Sequence, residues 1–351
     1  MGVIIVNRST TYASAGVDIA ASNLTKERIK PIIRGTFGPE VVRDVGSFGG
    51  LFAPNWHDYD DPVLVASTDS VGTKLKVAFM MGRHDTVGID IVAHCANDIV
   101  VQGAKPLFFL DYIAMGRHDP EVVVALITGL AEGCQQVGCA LLGGETAELP
   151  ELYKEGEYDL AGTIIGGVDR AGIIDGSHIR KGDIILGLAS DGLHTNGYSF
   201  ARKLLFTVAG LGVDTYVEAL NRTVGEELLR PHRCYVRSLL ALLNRSVDVH
   251  GMAHVTGGGL INNLPRILPA GTAACIRRKS WEVPPIFPLL REIGRVDERE
   301  MFKAFNMGIG MTVIVPQEMV DRAIPSLVEK GEWVFVIGEI VAGERDVRFV
   351  E

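Results

Sequence analysis

At 351 residues, with 47% apolar and 22% charged side chains and 41 glycines spread along it, the chain has the make-up of two folded domains of roughly 150 to 200 residues each, not of a disordered or linker-rich protein. A net charge of −9 and the lack of any clustered Lys/Arg run argue against a nucleic-acid partner, while a small anionic ligand needs only a few local cations. Asp111 interrupts the longest apolar candidate, so no membrane span is expected, and five widely spaced cysteines without a CxxC pair read as reduced thiols of a cytoplasmic protein.

The opening MGVIIVNRST has no basic n-region and reads as a strand or arm. Residues 1 to about 60 read as a mobile arm and loop, with one short amphipathic stretch from Thr25 to Arg34. PVLVAST after Asp61 is a buried strand ending at Asp69, followed by the small-residue turn TDSVGTKLK. Thr86 to Gly103 is helical and LFFLDYIAM is a strand. Asp119, Pro120 and Glu121 open a helix that runs to Gly138. CALLGGETAE and Tyr158 to Val168 are strands, and the polar stretch RAGIIDGSHIRKGD places a domain boundary near 170, giving domains 1–170 and 171–351. The second half continues with strand GDIILGLAS, loop DGLHTNG, a helix from Tyr198 to Ala209, a long helix around 224 to 245, strand MAHV, loop TGGG, and strands near 308 to 315 and 333 to 341. Alternating strands and helices imply α/β or α+β domains.

The helix Thr86 to Gly103 carries an unusual polar stripe. At 100° per residue, Asp90, His94, Asn97 and Asp98 fall within roughly 100° of arc on an otherwise apolar helix. The stripe holds no Lys, Arg or Glu, the usual formers of a solvated helix face, so an oxygen-rich metal stripe stands beside the solvated reading. Asp69, Asp111 and Glu145 recur at strand ends or inside apolar runs, where ligands of α/β sheets gather. Hard oxygen donors suit Mg²⁺ and nucleotide phosphates, though each acid alone serves equally well as a turn cap or buried hydrogen-bonding group.

Gly72-Thr73-Lys74 and Thr256-Gly257-Gly258-Gly259 are candidate phosphate cradles, the second directly before a helix, with flexible turns as the alternative. The chain has no GxxxxGK[ST], GxGxxG, HExxH or GxSxG, so the P-loop, Rossmann, zincin and hydrolase-elbow chemistries drop out. His194 and His254 lie at strand-to-loop transitions where an imidazole meets a ligand or is incidental.

In order along the chain, YASAGVDI, STDSVGTKLK, GIDIVAHCANDIVVQGAKPLFFLDYIA, LLGGETAELP, YDLAG, GLHTNGYS, AHVTGGGLINNLPRILP and FNMGIGM resemble the phosphoribosylformylglycinamidine cyclo-ligase family. The resemblance implies a two-domain α/β fold with an N-terminal sheet that dimerises, ATP bound in a cleft without a P-loop, Mg²⁺, and formylglycinamidine ribonucleotide as substrate of a homodimer. Carried over by motif, it makes Asp69, Asp98 and Glu145 metal-site acids. It places Asn97, Asp90, Thr146, Gly72, Thr73, Gly257 and Gly258 around nucleotide or substrate, and Lys74 on the phosphates. His194 and His254 contact substrate or assist proton transfer, and Lys30 matches a lysine of the mobile N-terminal segment. Ser70 stands where the family often has Gly, so a positive φ there would strain the turn. Selenophosphate synthetase, thiamine phosphate kinase and hydrogenase maturation proteins share the architecture. The first of these is disfavoured because the first cysteine here is Cys95, outside the Gly-rich N-terminal loop. A non-catalytic nucleotide-binding assembly protein is the remaining rival.

Overall fold

A computed structural model describes residues 19 to 46 and 48 to 351, with side chains from Ser22 onward; the opening arm and YASAGVD lie outside the described residues. The segment read as irregular holds a 16-residue helix, α1 (Ile19–Arg34). It forms because Ile29, Ile32 and Ile33 share one face that packs against the first core, and Arg28 ties it to Glu121.

The first half continues as β1 (Pro62–Ser70), α2 (Leu75–Met81), α3 (Asp85–Val100), β2 (Lys105–Met115), α4 (Pro120–Val137), β3 (Ala140–Glu148) and β4 (Tyr158–Asp169). The strands make a sheet in the order β1-β4-β2-β3, with β2 and β3 parallel and the other pairs antiparallel. Asp119 caps α4 by accepting from the amides of Glu121 and Val122. Helices α3 and α4 pack so closely that a Cβ on Gly129 would lie 1.8 Å from the Asp85 carbonyl oxygen, so only glycine fits. Every residue of α3 except Asp85 and Asp98 is buried, which rules out a solvated face for its polar stripe. Among the described residues no α-helix packs on the opposite face of the sheet: β1 alternates half-buried and exposed, and Leu64 and Tyr112 are 58% and 41% exposed.

The second half runs β5 (Ile184–Ala189), α5 (Tyr198–Arg202), the short β6 (Tyr216–Val217) and β7 (Arg222–Thr223), α6 (Val224–Leu228), α7 (Val236–Asn244), β8 (Gly251–His254), α8 (Gly259–Asn263), β9 (Thr272–Arg277), α9 (Ile286–Gly294), α10 (Glu298–Ala304), β10 (Ile309–Val315), α11 (Val320–Val328), β11 (Val334–Ala342) and β12 (Val347–Val350). Its six-stranded sheet has the order β12-β9-β11-β5-β10-β8. Strands β9 and β12 escape the sequence reading.

The long helix expected over 224 to 245 is broken into α6 and α7 by a non-helical strap, Leu229 to Tyr235. Pro231 supplies the break, since it lacks the amide a helix needs there. Ser70 is the last residue of β1, paired with Ala161, and is not among the positive-φ residues; Gly72 takes that conformation at φ 68°. The strain expected at Ser70 is therefore absent. Buried apolar side chains of both halves belong to one continuous core.

Candidate active site

The strap explains half of the polar stripe on α3. The Asp90 carboxylate accepts the His232 amide at 2.7 Å, and the Asn97 side chain donates to the Arg233 carbonyl and accepts from the Tyr235 amide. Asp90 and Asn97 thus bind backbone of the second half, and the nucleotide-lining role expected of them is replaced by a clamp between the halves. Lys74 joins the same clamp. Its ammonium lies 2.8 Å from Asp90 Oδ2, 3.1 Å from the His194 carbonyl and 2.7 Å from that of Arg230. One carboxylate and two carbonyls thus enclose the ammonium of a side chain with no exposed surface, which corrects its expected place on the phosphates. Burial pulls the Lys74 pKa down and pushes that of Asp90 up, against their mutual attraction.

His94 and Asp98, the other half of the stripe, face the end of β1. His94 Nε2 is 2.8 Å from Asp69 Oδ2, and its Nδ1 is 2.5 Å from Thr195 Oγ1. Thr195 Oγ1 also meets His232 Nδ1 at 3.2 Å; His232 Nε2 lies 3.0 Å from His254 Nε2; His254 Nδ1 lies 2.8 Å from Asp98 Oδ1. A continuous row of polar contacts therefore joins Asp69 to Asp98 through three imidazoles and one hydroxyl. His194 stacks on His232 with ring centroids 4.1 Å apart, and accepts the Asp191 amide on Nε2. Its backbone is held at φ 62°, a conformation costly for a residue with a Cβ.

Burial opposes ionisation of Asp69, but the hydrogen bond and charge of His94 outweigh it and hold the carboxyl below its ordinary range. Burial likewise opposes ionisation of Asp98, and His254 overcomes it. Burial also lowers the His254 pKa against the pull of Asp98. His194 and His232 fall well below the usual imidazole range through burial and then the neighbouring rings and cations. Two carboxylates beside imidazole nitrogens form a donor set for a divalent cation, and His94, Asp98 and His254 offer ligand atoms within 4.8 Å of one another.

Two glycine-rich turns flank this cluster. Thr73 Oγ1, in the turn after β1, is 3.0 Å from Ser199 Oγ at the start of α5. In the TGGG loop, Gly258 and Gly259 have φ of 99° and 58°, and Asn263 ties the loop by donating to the carbonyls of Thr256, Gly257 and Gly259. Asn196 Nδ2 is buried without a hydrogen-bond partner, and a Cβ on Gly257 would lie 3.3 Å from Asn196 Oδ1. Asn196 is a ligand-facing candidate that the sequence reading missed, as it missed His232 and the place of Thr195.

Three expected site residues lie elsewhere. Glu145 and Thr146 are on β3, the opposite edge of the sheet from β1, with Glu145 registered to Tyr112 and that to Ala161. Asp69 and Glu145 are thus separated by two intervening strands, roughly 14 Å at ordinary strand spacing, and cannot hold one ion within a single chain. Lys30 sits on α1, paired with Glu27 at 2.6 Å.

Residues 57–168 match the family model "AIR synthase related protein, N-terminal domain", and residues 180–351 match "AIR synthase related protein, C-terminal domain". Among curated proteins, phosphoribosylformylglycinamidine cyclo-ligase of Geotalea uraniireducens is 53% identical over 97% of this chain and 98% of its own length; that of Syntrophotalea carbinolica is 55% identical over 95% of each. The fold is shared with solved structures of low identity. Thiamine-monophosphate kinase of Stenotrophomonas maltophilia has TM-score 0.70 at 19% identity, covering 92% of this chain and 95% of that one. A hydrogenase maturation protein HypE in complex with ATP has TM-score 0.64 at 19% identity, covering 92% and 90%. Matched in both halves and more than half identical to full-length relatives, the chain belongs to the phosphoribosylformylglycinamidine cyclo-ligase family.

Proposed function

We propose that this chain closes the imidazole ring of aminoimidazole ribonucleotide from formylglycinamidine ribonucleotide and ATP. The formyl oxygen attacks the γ-phosphorus, ADP leaves and the formamide nitrogen gives up its proton; the amidine nitrogen then attacks the resulting iminophosphate carbon, and phosphate departs with that oxygen as a second proton is lost and the ring becomes aromatic. The observation that carries this reading is the cluster in which the Asp69 and Asp98 carboxylates meet His94 and His254, near the turn at Gly72 and Thr73 and the TGGG loop. Phosphoryl transfer asks for positioning and charge neutralisation more than for a nucleophile, and such a cluster supplies both.

Mg²⁺ fits the carboxylates of Asp69 and Asp98, and when bound it neutralises charge on the transferring phosphoryl group. The amides of the TGGG loop and the turn at Gly72 and Thr73 cradle phosphate oxygens. His254, oriented by Asp98 on one nitrogen and His232 on the other, is held as a neutral ring able to take the proton released on ring closure. His194 positions His232 by stacking.

The face of the first sheet that carries exposed Leu64 and Tyr112 supports a homodimer through that face. A second copy also gives Glu145 and Thr146, stranded on the far edge, a place at the partner's cleft. Five free cysteines support a cytoplasmic setting, and among the described residues no helix is long and apolar enough to cross a membrane. The deciding experiment mixes the protein with ATP, Mg²⁺ and formylglycinamidine ribonucleotide and follows the aromatic amine together with ADP. ATP binding without either product returns the chain to the assembly-protein reading.

A further inference from the structure

A second cleft opens on the strap. It has a volume of 680 Å³ and lies where the end of α4, the start of α7 and the end of α11 converge. None of Asp69, Asp98, His254 or the TGGG loop lines it. Arg222, Arg230, Arg233, Arg237 and Lys330 do. The carboxylates that answer them are fewer: Asp191 pairs with both Arg230 and Arg233, Glu332 with Arg233, and Glu227 with Arg222 and Arg230. Arg237 spends one N–H on the Gln135 carbonyl and shows no carboxylate partner, and Lys330 shows none either among the described residues. A chain with net charge −9 has thus gathered an excess of cations at one concave site.

We propose that this cleft binds a phosphate-bearing small anion, at a site separate from the catalytic one. Its volume is that of ordinary small-molecule sites, and guanidinium groups present paired N–H donors matched to phosphate oxygens. Surface ion pairs such as those of Asp191 are weak enough for arginines to exchange a carboxylate for a phosphate. The site is also joined to the reaction centre. His232 lines the cleft and contacts His254, and Asp191 offers its carboxylate to the cleft while its amide holds His194.

The test is calorimetric binding of inorganic phosphate, AMP and adenosine to the full-length protein and to Arg237→Glu/Lys330→Glu, both outside the catalytic machinery. Phosphate or AMP should bind wild type and weaken by roughly tenfold or more in the double variant, and by less in Arg237→Gln, with binding falling as salt rises. Adenosine should not distinguish the proteins. AMP binding with phosphate displacing it assigns the anchor to the phosphate of a nucleotide; phosphate binding alone assigns it to the free ion. Equal affinities in wild type and both variants overturn the proposal. So does a raised KM for formylglycinamidine ribonucleotide in the double variant, because the cleft would then hold the substrate's own phosphate. Binding is read without turnover, so failure of the catalytic reading leaves this result standing.

Discussion

Lys74 Nζ lies 2.8 Å from Asp90 Oδ2, and neither side chain has exposed surface. The pair fixes the turn after β1 and the stripe of α3 to the carbonyls of His194 and Arg230. Removing one partner leaves a buried charge uncompensated, so Lys74→Met should lose about 3 to 5 kcal/mol of stability. Lys74→Met combined with Asp90→Leu should recover part of it. Urea unfolding of the three proteins checks this, and a single variant as stable as wild type would show that the pair is not a clamp.

Asp98 has two duties in the proposed reaction, holding Mg²⁺ and orienting His254. Asp98→Asn keeps its size and should reduce turnover by roughly 10- to 100-fold, with partial recovery at high Mg²⁺ and little change in melting temperature. A variant that melts early and turns over normally per folded molecule assigns Asp98 to structure alone.

Glu145 and Asp69 can serve one cleft only across a dimer. Glu145→Gln and Asp69→Asn should each be nearly inactive, yet a mixture refolded together should regain roughly a quarter of wild-type activity, since half the dimers are hybrids with one undamaged cleft. No recovery, with hybrids shown by mass, would place both residues in a single chain's chemistry or in none.

Asp111 is buried, and burial, with Glu145 adding repulsion, pushes its carboxyl up to about 7. An acid whose folded pKa exceeds its unfolded one binds more protons when folded. The stability it contributes is present below about pH 4 and is lost as pH rises through 7. Asp111→Asn should therefore raise the melting temperature at pH 8 and change it far less at pH 4; equal shifts at the two values would refute this.

The sequence made the stripe of α3 visible because helical periodicity is local, but it could not divide the stripe. Asp90 and Asn97 find their partners in the strap some 140 residues away, at His232, Arg233 and Tyr235. The strap itself was hidden inside an apolar pattern that reads as one long helix, although Pro231 marks the break. Lys74 looked like a phosphate lysine because GTK is a loop signature; only burial reveals that its charge is already used. The edge position of Glu145 depends on strand order, which local pattern does not encode. Motif order along the chain recovered the family where these long-range contacts did not.

The row from Asp69 to Asp98 has one more property, set by counting hydrogens. Its five contacts run through His94, Thr195, His232 and His254, and each needs one hydrogen. Three neutral imidazoles and one hydroxyl hold four. With four, one contact is left between two acceptors, and this gap can stand at any of the five positions by shifting hydrogens along the row. A fifth hydrogen closes it. Moving the gap from one end to the other takes a donated hydrogen bond away from one carboxylate and gives it to the other while every ring stays in place, so the hydrogen bonds that Asp69 and Asp98 receive are linked.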